Sequence, residues 1–162
     1  MILAVADAIA QRVRHQLLPH CLRCEIAGSI RRRKPNVNDI EIVAIPKPYT
    51  SLPLFLDGVA LVVNQWPKIK GELPCKYTRR RLPDGIELDL FFATPENWGF
   101  IFGIRTGSRD FSGQVLGRGW VRNGYHGIDG MLTKDGIPVP TPEEHDLFRL
   151  AGVPWVPPER RL

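Results

Sequence analysis

The stretch GSIRRRKPNVNDIEIVAI, residues 28–45, sets a Gly-Ser pair and four successive cations ahead of two acids. Asp39 and Glu41 open a run, Ile40 to Ile45, that is otherwise apolar. A carboxylate in such company costs several kcal/mol unless it is hydrated, paired or bound to metal. A second run, IELDLFFA at 86–93, carries Glu87 and Asp89 in the same way. Side chains alternate across a strand, so Asp39 and Glu41 share a face with Val43 and Ile45, while Ile40, Ile42 and Ala44 take the other. Glu87, Asp89 and Phe91 likewise share a face, opposite Ile86, Leu88, Leu90 and Phe92. If the two strands are neighbours, Asp39, Glu41 and Asp89 converge at one end of a sheet. Carboxylates gathered there repel and raise one another's pKa. Hard divalent cations relieve the repulsion, and an oxygen-only set favours Mg²⁺ or Mn²⁺. Two such ions about 3.5–4 Å apart are the arrangement for in-line displacement at phosphorus. The competing reading pairs these acids with nearby arginines, and the residue types alone leave both open.

The Gly28-Ser29 turn adds its own chemistry. Glycine lets backbone approach a phosphate closely, and the first turn of a helix presents N–H donors. Arg31, Arg32 and Arg33 follow at once. Arg79–Arg81 form a second dense basic run, and Arg105, Arg109, Arg118 and Arg122 a looser series. With a net charge of +5 over 162 residues, the chain suits a polyanionic partner.

Several elements must hold these residues. Leu3, Ala6, Ile9, Ala10, Val13 and Leu17 keep a helical period over 3–18, and Pro19 ends it. CLRCEIAG reads as a strand, Gly28-Ser29 as a strand-to-helix turn with Ser29 as cap, and NDIEIVAI as the first acidic strand. The segment 52–66 reads as a helix. CKYTRRRL and IELDLFFA read as strands joined by a PDG turn. Helices are expected over 94–105, opened by Thr94 and Pro95, over 108–122, and over 141–152, between Thr141-Pro142 and Gly152. A hairpin is expected around KDG within 125–140. Strands and helices mix without strict alternation, so the class is α+β. A boundary near Thr94 divides 1–94 from 95–162.

Three cysteines cannot all pair, which points to a reducing compartment. No apolar run reaches the ~18–20 residues of a membrane span. Cys21 and Cys24 lack a partner set spaced for zinc and read as packing residues. Trp66, Trp98, Trp120 and Trp155 read as core.

In this combination the chain resembles the nucleotidyltransferase superfamily, and within it the family X DNA polymerases, the group of DNA polymerase beta. The match rests on Gly28-Ser29 with Arg31-Arg32, on Asp39 and Glu41, and on Asp89. It extends to RTGSRDFS at 105–112 and to TPEEHDLFRLAGVPWVPPERRL at the C-terminal end. The resemblance implies a polymerase beta-like palm over 1–94 and a small C-terminal nucleotide- and DNA-binding lobe over 95–162. It implies that Asp39, Glu41 and Asp89 hold two Mg²⁺ or Mn²⁺ ions, with Asp89 helping to deprotonate a primer 3′-hydroxyl. Gly28, Ser29 and Arg32 would hold the triphosphate, Gly107 and Arg105 would lie at the nucleotide, and Arg79, Arg80 and Arg81 would meet DNA phosphates.

The implied activity is a small DNA-directed polymerase in repair or gap filling. It would work on primer–template and dNTPs as a cytoplasmic monomer of bacterial or phage type. The match starts at the catalytic part, so no N-terminal lyase domain is expected. Glu41 stands where the family usually has Asp, Ile104 and Arg105 where it has an aromatic pair, and Glu87 where better-known members carry Arg. Alternatives are a transferase acting on a small molecule, a protein or an RNA end, a template-independent terminal transferase, and a non-catalytic nucleic-acid-binding module.

Overall fold

The structure is a computed structural model that describes residues 1–47 and 58–162. In it the chain divides into two compact units, Met1–Ala93 and Thr94–Leu162, each with its own apolar core.

In the first unit the expected N-terminal helix is α1, Leu3–Leu17, and its stripe of Ala6, Ile9, Ala10, Val13 and Leu17 is buried. A tight turn over Leu18–His20, containing Pro19, leads into β1, Cys21–Ile26. The short helix α2, Gly28–Arg31, then precedes β2, Asp39–Pro46. Helix α3, Gly58–Val63, is the described part of the helix expected over 52–66; residues 52–57 lie outside the described residues. Strands β3 (Lys68–Lys70), β4 (Tyr77–Arg81) and β5 (Glu87–Phe92) complete a five-stranded sheet in the order β1-β2-β5-β4-β3. Strands β2 and β5 run parallel and the other neighbours antiparallel, so the sheet is mixed.

Burial follows the alternation. Ile40, Ile42, Ala44, Leu88 and Leu90 join the α1 stripe, Val59 and Val63 in one cluster. At about 1.5–3 kcal/mol for each large apolar side chain buried, this cluster holds the strands in register against the helices. The opposite face of β2 and β5 carries the acids. A register irregularity between Cys21 and Arg23 turns both Cys21 and Cys24 inward, and they pack in the same cluster.

The second unit consists of α4 (Trp98–Thr106), a π-helical segment over Phe111–Gly117, α5 (Arg118–Arg122), the hairpin strands β6 (His126–Ile128), β7 (Met131–Lys134) and β8 (Ile137–Val139), and α6 (Glu144–Ala151). Helix α4 starts four residues later than Thr94 promised. Asn97 takes the preceding turn, its Oδ1 accepting from the Thr94 backbone N–H at 2.7 Å. Helix α6 starts at Glu144 rather than near Thr141, because Glu143 and Asp146 close a reciprocal capping box. The expected helix over 108–122 is split, with wider π-helical turns in its first half. Trp66 and Trp98 are buried as expected. Trp155 is 39% exposed, and its ring stacks on His145 and lies 4.5 Å from the Arg161 guanidinium. Among the described residues no helix is long and apolar enough to cross a membrane.

Candidate functional site

The parallel register of β2 and β5 pairs Asp39 with Glu87 and Glu41 with Asp89. All four carboxylates therefore stand in two adjacent rows on one sheet face. On the far side of β5, the antiparallel register of β4 sets Arg79 beside Asp89 and Arg81 beside Glu87. The face is an ordered array of acids with a row of cations along one edge.

Arg79 is the centre of that array. Its Nε donates to Asp89 Oδ1 at 2.5 Å and its Nη2 to Asp89 Oδ2 at 2.6 Å, a two-point fork. Nη1 donates to Glu87 Oε2 at 3.0 Å, and Nη2 lies 3.8 Å from Asp39 Oδ2. Tyr77, stacked on Phe91, donates its hydroxyl to Asp89 Oδ1 at 2.8 Å. The Asp89 side chain is 8% exposed and that of Asp39 36%. Glu87 is held from the other side by Arg81, whose Nη2 donates to its Oε1 at 2.6 Å.

The charges act on one another accordingly. Burial pushes the Asp39 carboxyl up, the Asp89 charge pushes it further, and Arg79 pulls it back. The hydrogen bonds to Asp89 hold the Arg79 guanidinium above its ordinary value. Burial and the bond to Asp89 push the Tyr77 phenol up. Burial pulls Arg32 down, and Glu41 and Asp39 oppose that pull.

The Gly28 turn borders the same face. The Ala27 backbone N–H donates to the Glu41 carbonyl at 2.8 Å, which ties the turn to β2. Gly28 has φ +61°, and a Cβ there would collide with the Glu41 carboxylate. Both facts call for glycine. Ser29 is not the expected cap: the residue preceding α2 is Ala27 and no side chain caps it. The Ser29 Oγ is instead buried with no hydrogen-bond partner among the described residues. A buried hydroxyl left unsatisfied costs about 1–3 kcal/mol.

Asp39, Glu41 and Asp89 share one face, and among the described residues no three His, Cys, Asp or Glu side chains form a metal cluster as they stand. The Arg79 guanidinium engages both Asp89 oxygens and reaches toward Asp39. Pairing with arginine thus holds for Asp89 and Glu87. Arg80 is 3% exposed and donates to Thr78 Oγ1 at 3.0 Å and to the Trp66 and Gly71 carbonyls. It is an internal brace between β4 and the preceding loop, out of reach of a DNA phosphate. Arg79 is turned toward the acids, and Arg81 alone of the three is exposed.

The Tyr77 hydroxyl on Asp89 went unforeseen, and of the arginine pairings weighed from the sequence the fork of Arg79 onto Asp89 is the one that dominates the face. Their signal was present in the PDG hairpin, whose antiparallel register sets 77, 79 and 81 opposite 91, 89 and 87.

In the second unit Gly107 ends α4. Its N–H donates to the Gly103 carbonyl at 3.1 Å, and a Cβ on it would press against Ser112 Oγ and Phe111. Ser108 Oγ accepts from the Phe111 N–H at 3.0 Å, so Thr106-Gly107-Ser108 is a tight, internally bonded corner. Arg105 is exposed on the last turn of α4.

No known family profile matches the chain, and no curated protein matches it. Solved structures do. A ternary P/T complex of Leishmania infantum polymerase beta superposes with a TM-score of 0.74 at 19% identity, covering 100% of this chain and 76% of that one. A ternary gap complex of the same protein gives a TM-score of 0.76 at 18% identity, covering 99% of this chain and 70% of that one. The chain therefore has the polymerase beta fold, built on a mixed five-stranded sheet in its first unit.

Proposed function

We propose that this chain is a nucleotidyltransferase working as a small DNA polymerase, which adds dNTPs to a primer 3′-hydroxyl on a DNA template. The observation that carries the reading is the register of β2 against β5. It sets Asp39, Glu41 and Asp89 on one exposed-side face, beside a glycine turn with a buried, unsatisfied Ser29 hydroxyl. The donor set is all carboxylate oxygen, and crowding already pushes the Asp39 carboxyl up, so the face is chemically suited to hard divalent cations. Asp39, Glu41 and Asp89 would hold two Mg²⁺ or Mn²⁺ ions. Bound there, these would neutralise the carboxylates and the charge developing on the triphosphate.

The chain's own groups do the rest. Ser29 Oγ and Arg32 donate to triphosphate oxygens, and the Gly28 turn lets backbone come close to them. Asp89 orients the primer 3′-hydroxyl and accepts its proton as the new O–P bond forms at the α-phosphorus. The bond from that phosphorus to the bridging oxygen breaks, and pyrophosphate leaves. Arg81 contacts a DNA phosphate. The catalytic contribution is positioning and charge neutralisation. The polymerase beta structures were solved as ternary P/T and gap complexes, and primer–template and gapped DNA are the substrates proposed here.

The test is extension of a labelled primer on templates of defined next base, with Mg²⁺ or Mn²⁺ and each dNTP. Wild type should add the complementary nucleotide and release pyrophosphate, and Asp39→Asn and Asp89→Asn should not. Addition that ignores the template base would assign terminal transfer instead. DNA binding with no incorporation under any metal would refute catalysis.

A further inference from the structure

Both oxygens of Asp89 are committed in this structure. Arg79 forks onto Oδ1 and Oδ2 at 2.5 and 2.6 Å, and the Tyr77 hydroxyl adds a third bond to Oδ1 at 2.8 Å. The proposed chemistry needs Asp89 for a divalent ion and for the primer hydroxyl. A guanidinium does not give up its proton in a protein. It cannot become a neutral bystander, and next to a divalent cation it would be repelled. It has to move.

Glu87 provides the place. Its Oε2 already accepts from Arg79 Nη1 at 3.0 Å, while its Oε1 is held by Arg81 at 2.6 Å. The guanidinium can release Asp89 by turning about the end of its own side chain, without passing unpaired into solvent. The exposures agree with that direction of travel: the Arg79 side chain is 32% exposed and the Asp89 side chain 8%. The mobile partner is the outer one.

We propose that Arg79 is a positioning residue that holds the carboxylate face in order when no divalent ion is bound, and that Glu87 receives its guanidinium when Asp89 takes an ion. This rests on the nucleotidyl-transfer reading above. It also gives Glu87, which the catalytic scheme leaves unused, a reason to be an acid. Divalent-ion affinity is then set by a competition in which Arg79 opposes the ion and Glu87 assists it.

The experiment titrates the full chain with Mn²⁺ alone and reads free Mn²⁺ by electron paramagnetic resonance, beside thermal unfolding in chelator. Arg79→Gln should bind Mn²⁺ about tenfold tighter or more, the worth of a forked charge-assisted pair. Its unfolding temperature in chelator should fall and be restored by Mn²⁺. Glu87→Gln should bind more weakly than wild type. Arg79→Lys, which keeps the charge but cannot fork, should lie between wild type and Arg79→Gln, and it carries the comparison if Arg79→Gln does not fold. Arg81→Gln removes an equal charge one pair further out and should change affinity by less than about twofold. Adding Asp89→Asn to Arg79→Gln should abolish the gain.

Equal or weaker binding by Arg79→Gln, or an equal gain from Arg81→Gln, would overturn the role of Arg79 and leave the nucleotidyl-transfer reading standing. An unchanged Glu87→Gln would overturn the receiving role of Glu87. Absence of Mn²⁺ binding in both wild type and Arg79→Gln would remove the metal-dependent reading itself.

Discussion

Gly28→Ala tests the link between the turn and the acids. An alanine held at φ +61° costs about 1–2 kcal/mol from the left-handed backbone alone. Its methyl would also strike the Glu41 carboxylate, and forcing extra volume into a filled place costs about 1–3 kcal/mol more. The sum, about 2–5 kcal/mol, is a large share of the ~5–15 kcal/mol that holds an ordinary domain folded. In a Glu41→Ala background the carboxylate is gone. The Glu41 Cβ that remains stands 3.0 Å from the new methyl, a tight contact that a small shift relieves. There Gly28→Ala should cost little beyond its backbone strain, so the double-mutant cycle should show coupling of about 1–3 kcal/mol. Urea melts of the four proteins measure it. Primer extension should fall about 10²-fold in Gly28→Ala, because a displacement near 1 Å of a positioned group costs that much. Equal destabilisation in both backgrounds would refute the claim that the turn is moulded to Glu41.

Three further outcomes follow from the same geometry. Ser29→Ala removes a buried hydroxyl without a partner, so it should leave stability unchanged or raise it by about 1 kcal/mol while raising KM for dNTP; a loss of stability in urea melts would show the hydroxyl to be structural. Asp39 has its folded pKa raised above the ordinary 3.8, so in chelator the protein should lose stability as pH rises from that value through the raised one. Asp39→Asn should abolish that slope and be the more stable form at neutral pH, as melts across pH would show. Arg161 is fully buried, with Nη1 2.5 Å from Glu144 Oε1, Nε 2.7 Å from the Val156 carbonyl and the guanidinium over the Phe148 and Trp155 rings. Arg161→Ala removes the buried cation bonded to Glu144 and should cost about 3–5 kcal/mol, followed by urea unfolding; a cost below ~1 kcal/mol would contradict the pairing.

Period-two alternation was enough to read the acidic strands, since burial of Ile40, Ile42, Leu88 and Leu90 forces Asp39, Glu41, Glu87 and Asp89 to the other face. The helical stripe from Leu3 to Leu17 was equally plain, because one helix face carries the apolar residues. What escaped depends on contacts between segments. Nothing local in YTRRR tells that Arg79 forks onto Asp89, that Arg80 turns inward to two carbonyls, and that Arg81 is the most exposed of the three. Strand register decides all three. Thr141 and Thr94 carry the composition of helix caps, yet the helices begin after Glu143, which closes a capping box with Asp146, and after Asn97. Strand β3, KIK, was missed because three exposed residues show no pattern, and its pairing with β4 alone makes it a strand.

The most direct measurement is anomalous diffraction from crystals of the chain grown with Mn²⁺, a primer–template and a dNTP whose α–β bridge cannot be cleaved. The account predicts two manganese peaks among Asp39, Glu41 and Asp89, about 3.5–4 Å apart, with the triphosphate against Ser29 and Arg32 and the Arg79 guanidinium moved to Glu87. Manganese elsewhere, with nucleotide bound and Arg79 still forked onto Asp89, would contradict it.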